Sequence, residues 1–198
     1  MAHGDPVEVI AGRLASPDVV LGVIGARGST TGPRPTGSTA IEILRRTPRP
    51  LVIVSPECIV QGPNPGDRVL VPLDGTRWSA DVAREASSLL EEAGLHVLAL
   101  HVFDTETMPK FWDQPQHAAT AWSTEFAERN LPEGDGRVEL RTGFPATQVL
   151  QVATEHGVDL IVLGLSEELP EGGSTTVRAV LSESCVPVLL IPVPARTT

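Results

Sequence analysis

The chain has 198 residues, 41% of them apolar and 20% charged, which supports a buried core and excludes general disorder. Fifteen Lys and Arg against 25 Asp and Glu give a net charge of −10, which argues against nucleic acid or an anionic membrane as partner. No apolar run approaches the ~20 residues of a membrane span, and the opening Met-Ala-His-Gly-Asp-Pro has no secretory pattern, so a reducing cytoplasm is the expected location.

The first segment already contains an internal echo. Gly4-Asp-Pro-Val-Glu-Val-Ile resembles Gly143-Phe-Pro-Ala-Thr-Gln-Val-Leu at an offset of 139, and Asp18–Gly25 faces Val158–Gly164 at the same offset. After loops of different length, Thr39–Val54 and Thr176–Ile191 each read as a short helix, a proline and an apolar run. The recurring unit is helix, strand, Gly-rich loop, helix, strand. It spans 4–55 once and 143–193 again, and the first 50 residues differ in charge, with six Arg against four acids.

Residues 56–67 are dense in Pro and Gly and read as a linker. Arg68-Val-Leu-Val-Pro-Leu has the branched apolar pattern of a buried strand. A helix follows over about Ser79–Ala93, with apolar positions at helical spacing and Gly94 placed for a left-handed cap. Leu95–Phe103 reads as the next strand. A polar stretch, Asp104–Gln116, leads to a helix near Ala118–Arg129, where Trp122 and Phe126 lie one turn apart. Arg137–Leu140 is a short strand, after which the repeated unit completes the chain.

Strands alternating with helices of this length imply a parallel sheet covered on both faces. The expected division is a partial half-domain over 1–55, a linker over 56–67 and a complete domain over 68–195. Cys58 and Cys185 stand alone in apolar strings, without metal-ligand spacing, and are expected to be small buried or half-buried hydrophobes. Asp104, Asp113 and His117 match no metal pattern and read as a solvated loop. His101, between Leu100 and Val102, reads as a satisfied strand histidine rather than a catalytic one. Met108, Phe111, Trp112 and Trp122 read as an apolar lid over the sheet, with a partner groove as the alternative. No nucleophile elbow, Walker loop or zinc helix motif is present, so an enzyme of standard type is not expected.

Several motifs taken together resemble the universal stress protein family. Val69-Leu-Val-Pro-Leu-Asp-Gly-Thr is similar to its first strand and turn, Leu98-Ala-Leu-His-Val to its second strand, Asp159-Leu-Ile-Val-Leu-Gly to its fourth, and Cys185-Val-Pro-Val-Leu-Leu-Ile to its last. The resemblance covers 68–193 and, in part, 4–55. It implies an α/β fold, a doubly wound parallel five-stranded sheet of order 3-2-1-4-5, extended here by two strands from the partial repeat. It implies ATP as the possible cofactor of binding members. There, an Asp ending the first strand and a residue after the second strand's His hold adenosine, and a G-x-x-G … G-S/T loop holds phosphates through backbone N–H groups and a helix N-terminus.

Carried over by position, Asp74 and Val102 are the adenosine-side residues, and Gly164 with Ser174 the phosphate-side ones. Asp74 reads equally as a cap or turn residue. Glu167 stands where the second glycine belongs, and with Glu168 and Glu171 it opposes a triphosphate. In the first copy, Gly25, Gly28, Gly37 and Ser38 approximate the loop, with Arg27 and Arg34 suited to phosphate, but this copy is expected to lack the family's first and second strands and with them the Asp and the adenine wall.

The reading is a non-enzymatic cytoplasmic stress-response module whose adenine-nucleotide binding is degraded. An ATP switch or slow hydrolase completed in trans is the alternative, and a scaffold for an unknown protein partner a third. Strand Leu51–Val54 is expected antiparallel beside Val188–Ile191, as a homodimer or pseudo-dimer contact, leaving Val19–Ile24 at the rim.

Overall fold

The structure, a computed structural model, describes residues 4–26, 38–56, 58, 68–91, 94–103, 116–131, 138–166 and 171–193. In chain order the elements are α1 (Pro6–Leu14), β1 (Gly22–Gly25), α2 (Ser38–Leu44), β2 (Leu51–Val54), β3 (Arg68–Pro72), α3 (Arg77–Glu91), β4 (His96–Phe103), α4 (Gln116–Asn130), β5 (Val138–Thr142), α5 (Pro145–Glu155), β6 (Leu160–Ser166), α6 (Glu171–Glu183) and β7 (Val188–Val193). The strands form one seven-stranded sheet of order β1-β2-β7-β6-β3-β4-β5. Its last five members are the 3-2-1-4-5 arrangement anticipated for residues 68–193, and β1 and β2 are the two added strands.

Two compact units divide the chain, Met1–Val60 with Leu163–Thr198 and Gln61–Val162, so the boundary falls within β6. In the first unit, β1 and β2 run parallel, pairing Gly22 with Leu51 and Gly25 with Val54. β2 runs antiparallel to β7, with Leu51 opposite Leu190 and Ile53 opposite Val188, which is the pairing expected of these two segments. β1 is the rim strand, shorter than the Val19–Ile24 read from apolar content. Val19 N–H instead bonds Ser16 O in a turn that delays entry into the sheet.

The starts of α1 and α5 share backbone detail. Both α1 and α5 open with Pro in the first turn, behind a residue in extended conformation, Asp5 or Phe144. Both are preceded by a glycine at positive φ, Gly4 at 143° and Gly143 at 123°, a conformation L side chains rarely adopt. The copies differ at the cap. Asp5 Oδ1 accepts from Val7 N–H at 2.9 Å, whereas Phe144 offers no side-chain cap. On α1, Val7, Ala11 and Leu14 form the buried stripe. At Gly22 an added Cβ would meet Leu14 Cδ2 at 2.7 Å and Leu51 Cδ1 at 2.9 Å, so this strand start approaches its neighbours too closely for a side chain.

In the second unit, β3 pairs parallel with β4 and β6, and β4 with β5. Val69, Leu70, Val71, Leu100 and Ile161 are all at most 1% exposed, as strands covered on both faces require. The Arg68 guanidinium donates to His156 O at 2.6 Å, tying the foot of β3 to the end of α5. α3 begins at Arg77, two residues before the expected Ser79, because Thr76 caps it.

The thiols need one correction. Cys58 is half-buried as anticipated, but Cys185 is exposed. It sits in the turn between α6 and β7, and the buried apolar run begins only at Val188.

Candidate functional site

The site is built at the carboxyl ends of β3 and β4, where open α/β sheets bind ligands. Beyond β3, Leu73 N–H bonds Leu100 O at 2.7 Å, keeping the chain beside β4 for one more residue. The next three residues turn sharply. Asp74 Oδ1 accepts from Thr76 N–H at 2.8 Å and from Thr76 Oγ1 at 2.6 Å. Thr76 Oγ1 in turn accepts from Ser79 N–H at 3.3 Å, satisfying one orphan donor of α3. Gly75 lies between them at φ +82°, with no room to spare: a Cβ there would stand 3.3 Å from Phe126 Cε2.

Beside this turn, four rings meet. The His101 ring lies 4.5 Å from Phe103 in an edge arrangement and 4.6 Å from Phe126. Trp122 stacks on Phe126 at 4.8 Å with 21° between planes. Such pairs add about 0.5–1.5 kcal/mol each beyond their burial. Below them opens a cavity of about 660 Å³, lined by Asp74, Gly75 and Arg77, by His101, Val102 and Phe103, by Trp122, Glu125, Phe126 and Arg129 of α4, and by Pro145. Arg129 pairs with Glu125, one turn away on the same helix.

His101 is a satisfied strand histidine. Its Nδ1 lies 2.7 Å from Leu73 O, and because a carbonyl only accepts, Nδ1 carries the hydrogen. Burial pushes its pKa down, against the opposing pull of the Leu73 carbonyl and the Asp74 charge. Over the interval below about pH 6.5, down to the folded-state value, the unfolded chain binds a proton that the folded chain refuses. Stability is therefore full above that interval and falls as pH drops through it. Urea midpoints measured from pH 7.5 to 5.5 should decrease, and the decrease should be smaller in His101→Phe.

Of the residues singled out from sequence, Asp74 and Val102 line the same cavity. Asp74 is exposed and Val102 half-buried in β4. Gly164 lies within β6, Gly25 ends β1, and Ser38 opens α2. Ser174 lies in the first turn of α6, among the four residues whose N–H groups have no partner within a helix. Gly28, Gly37, Arg27, Arg34, Glu167 and Glu168 lie outside the described residues, as do Asp104, Asp113, Met108, Phe111 and Trp112. The aromatic wall was only half legible. Trp122 and Phe126 showed their one-turn spacing, but nothing local to either segment announced His101 and Phe103 as their neighbours.

A second charged group joins β5 to the end of α5. Arg141 bridges Glu139 and Glu155, and His156 Nε2 lies 2.8 Å from Glu139 Oε2. Though three potential ligand atoms lie within 4.8 Å of one another, the guanidinium already occupies the place of a cation between the two carboxylates.

An open, largely parallel α/β sheet with a cavity at its strand ends is a domain of the doubly wound class. The chain belongs to the universal stress protein family, whose model matches residues 66–192. Two solved structures share the fold at a TM-score of 0.65. One is a universal stress protein from Archaeoglobus fulgidus, 20% identical, with 96% of this chain covered and 66% of that one. The other is a functionally unknown protein from Pseudomonas aeruginosa, 13% identical, with 96% and 69% covered. The chain thus spans about two thirds of the length of these structures. No curated protein matches it in sequence. Among the described residues no helix is long and apolar enough to cross a membrane.

Proposed function

We propose that the protein is a non-enzymatic regulatory module of the cytoplasmic stress response that acts by binding, and that the cavity beside Asp74 takes the adenosine part of an adenine nucleotide without a working triphosphate cradle. The observation that carries this reading is that Asp74 and Val102, the two adenosine-side positions, open on one cavity walled by stacked rings. A purine stacks favourably on such a wall. Asp74 spends Oδ1 on its turn, and Oδ2 has no partner among the described residues, which leaves an acceptor for a ribose hydroxyl or an exocyclic amine.

The phosphate side supports the degraded half of the reading through charge. Glu167, Glu168 and Glu171 follow Gly164 closely, and a triphosphate placed there meets like charge. The cavity lining holds no serine, cysteine or lysine among the described residues, and its histidine is neutral with Nδ1 committed, a poor set for nucleophilic catalysis.

Calorimetric titration with adenosine, AMP and ATP tests this. Expected are similar affinities for all three, within about threefold, and a loss of about tenfold for each in Asp74→Asn, which keeps the turn acceptor but removes the free carboxylate oxygen. ATP binding a hundredfold tighter than adenosine, or ATP hydrolysis by the purified chain, would overturn it in favour of a nucleotide switch. Failure to bind any of the three would remove the adenosine assignment altogether.

A further inference from the structure

At the cavity's end of the sheet stands an aromatic side chain that packing does not explain. Phe144 is 83% exposed, more than any other large apolar residue described. One bare apolar side chain is ordinary on a protein surface and by itself means little. This one also occupies the N-cap of α5, where a side-chain oxygen would satisfy an orphan N–H of the first turn. The start of α1 shows the alternative. There Gly4-Asp5-Pro6 puts a carboxylate in the same position, and Asp5 Oδ1 accepts from Val7 N–H at 2.9 Å. Gly143-Phe144-Pro145 keeps the flanking glycine and proline but has no side-chain cap. Phe144 thus forgoes a capping bond and holds a large ring in water, two losses of stability at one position.

Its place in the sheet indicates what the ring serves. β3, β4 and β5 run parallel, so their carboxyl ends lie together. Thr142, the last residue of β5, lies opposite Phe103, and Gly143 N–H donates to Phe103 O at 2.9 Å. Phe144 follows at once, and the next residue, Pro145, lines the cavity together with Asp74, His101 and Phe103. The Phe144 carbonyl accepts from Gln148 N–H at 3.1 Å, which anchors the backbone and leaves the side chain to move. An exposed side chain changes rotamer in picoseconds to nanoseconds, fast against the lifetime of a bound ligand.

We infer that Phe144 is a ligand-contacting residue of this cavity, whose ring turns onto the base of a nucleoside seated there and stacks on it. The inference rests on the adenosine reading of the cavity and adds to it a residue that holds the base. A bare ring at the mouth gains by being covered, and a flat aromatic ligand covers it best, so Phe144 favours planar bases over ligands without a ring system.

The test is calorimetric titration of the full chain with adenosine, alongside urea denaturation, for the unaltered protein, Phe144→Ser and Phe144→Tyr. Phe144→Ser should weaken adenosine binding about fivefold or more, the worth of one base–ring stack, and yet raise the urea midpoint, because serine supplies the missing cap. Phe144→Tyr keeps the ring and should bind within about twofold of the unaltered protein. Affinity and stability moving in opposite directions is an outcome that a purely structural role does not produce. Equal binding by Phe144→Ser and the unaltered protein overturns this inference alone, as does an equal loss in Phe144→Ser and Phe144→Tyr. Weaker binding together with a lower urea midpoint assigns Phe144 to folding and overturns it as well. Failure of the unaltered protein to bind adenosine removes the adenosine reading itself, and this inference with it.

Discussion

Leu100→Ala should lower the free energy of unfolding by about 3–5 kcal/mol, a large fraction of the 5–15 kcal/mol typical of a domain. Leu100 is fully buried on β4, the strand that lies between β3 and β5, so its side chain is enclosed by neighbours in the sheet and by the helices above and below. Truncation there loses the transfer energy of the removed methyl and methylene groups and leaves a void that parallel strands, fixed in register on both sides, close poorly. Equilibrium urea denaturation is the measurement: the midpoint should fall with little change in slope. Leu100→Ile, which keeps the volume, should cost less than about 1.5 kcal/mol. A cost below 1 kcal/mol for the alanine variant would mean that β4 is not central to the fold.

The second large effect is expected at Gly75. Its φ of +82° costs an ordinary L residue about 1–2 kcal/mol. A side chain there also faces Phe126 Cε2 at 3.3 Å, and Phe126 is 8% exposed and stacked on Trp122, so it has little freedom to yield. Gly75→Val should therefore destabilise by about 2–3 kcal/mol and also displace the Asp74 turn, abolishing any adenosine binding at the cavity. Gly94 provides the control. It too has a positive φ, +70°, but nothing lies within 4 Å of an added Cβ. Gly94→Ala should thus show the conformational cost alone, about 1 kcal/mol, with binding intact. Equal losses at the two positions would argue against a tight turn beside Phe126.

Much of the fold was legible because its signals are local and periodic. The apolar run of Arg68–Pro72, the helical spacing after it and the repeated Gly-X-Pro starts each mark an element without reference to the rest of the chain. The antiparallel meeting of Leu51–Val54 with Val188–Ile191 was expected from the family resemblance, which implies such a pairing at dimer interfaces, and not from any local signal. The details that escaped depend on tertiary context or on caps. Thr76 starts α3 early through a side-chain bond to Ser79 N–H. Cys185 has apolar neighbours in sequence but stands in the turn before they enter the sheet. The site was legible only as two positions, Asp74 and Val102. The ring wall that gives their cavity its character joins a strand pair, His101 and Phe103, to a helix pair, Trp122 and Phe126, and their convergence is a property of packing alone.

The β2–β7 pairing has a consequence for how the molecule is made. Val54 leaves the ribosome 134 residues before Val188, its neighbourhood in the finished sheet. At roughly 5–20 residues per second, β2 waits about 7–27 s for a partner, while the intervening segment is synthesised and begins to fold. Through that interval Leu51 and Ile53, both buried at the end, have no antiparallel neighbour to cover them. Nascent chains caught in this window should be the species most in need of a holding chaperone, and slowing translation after residue 60 should lengthen that dependence.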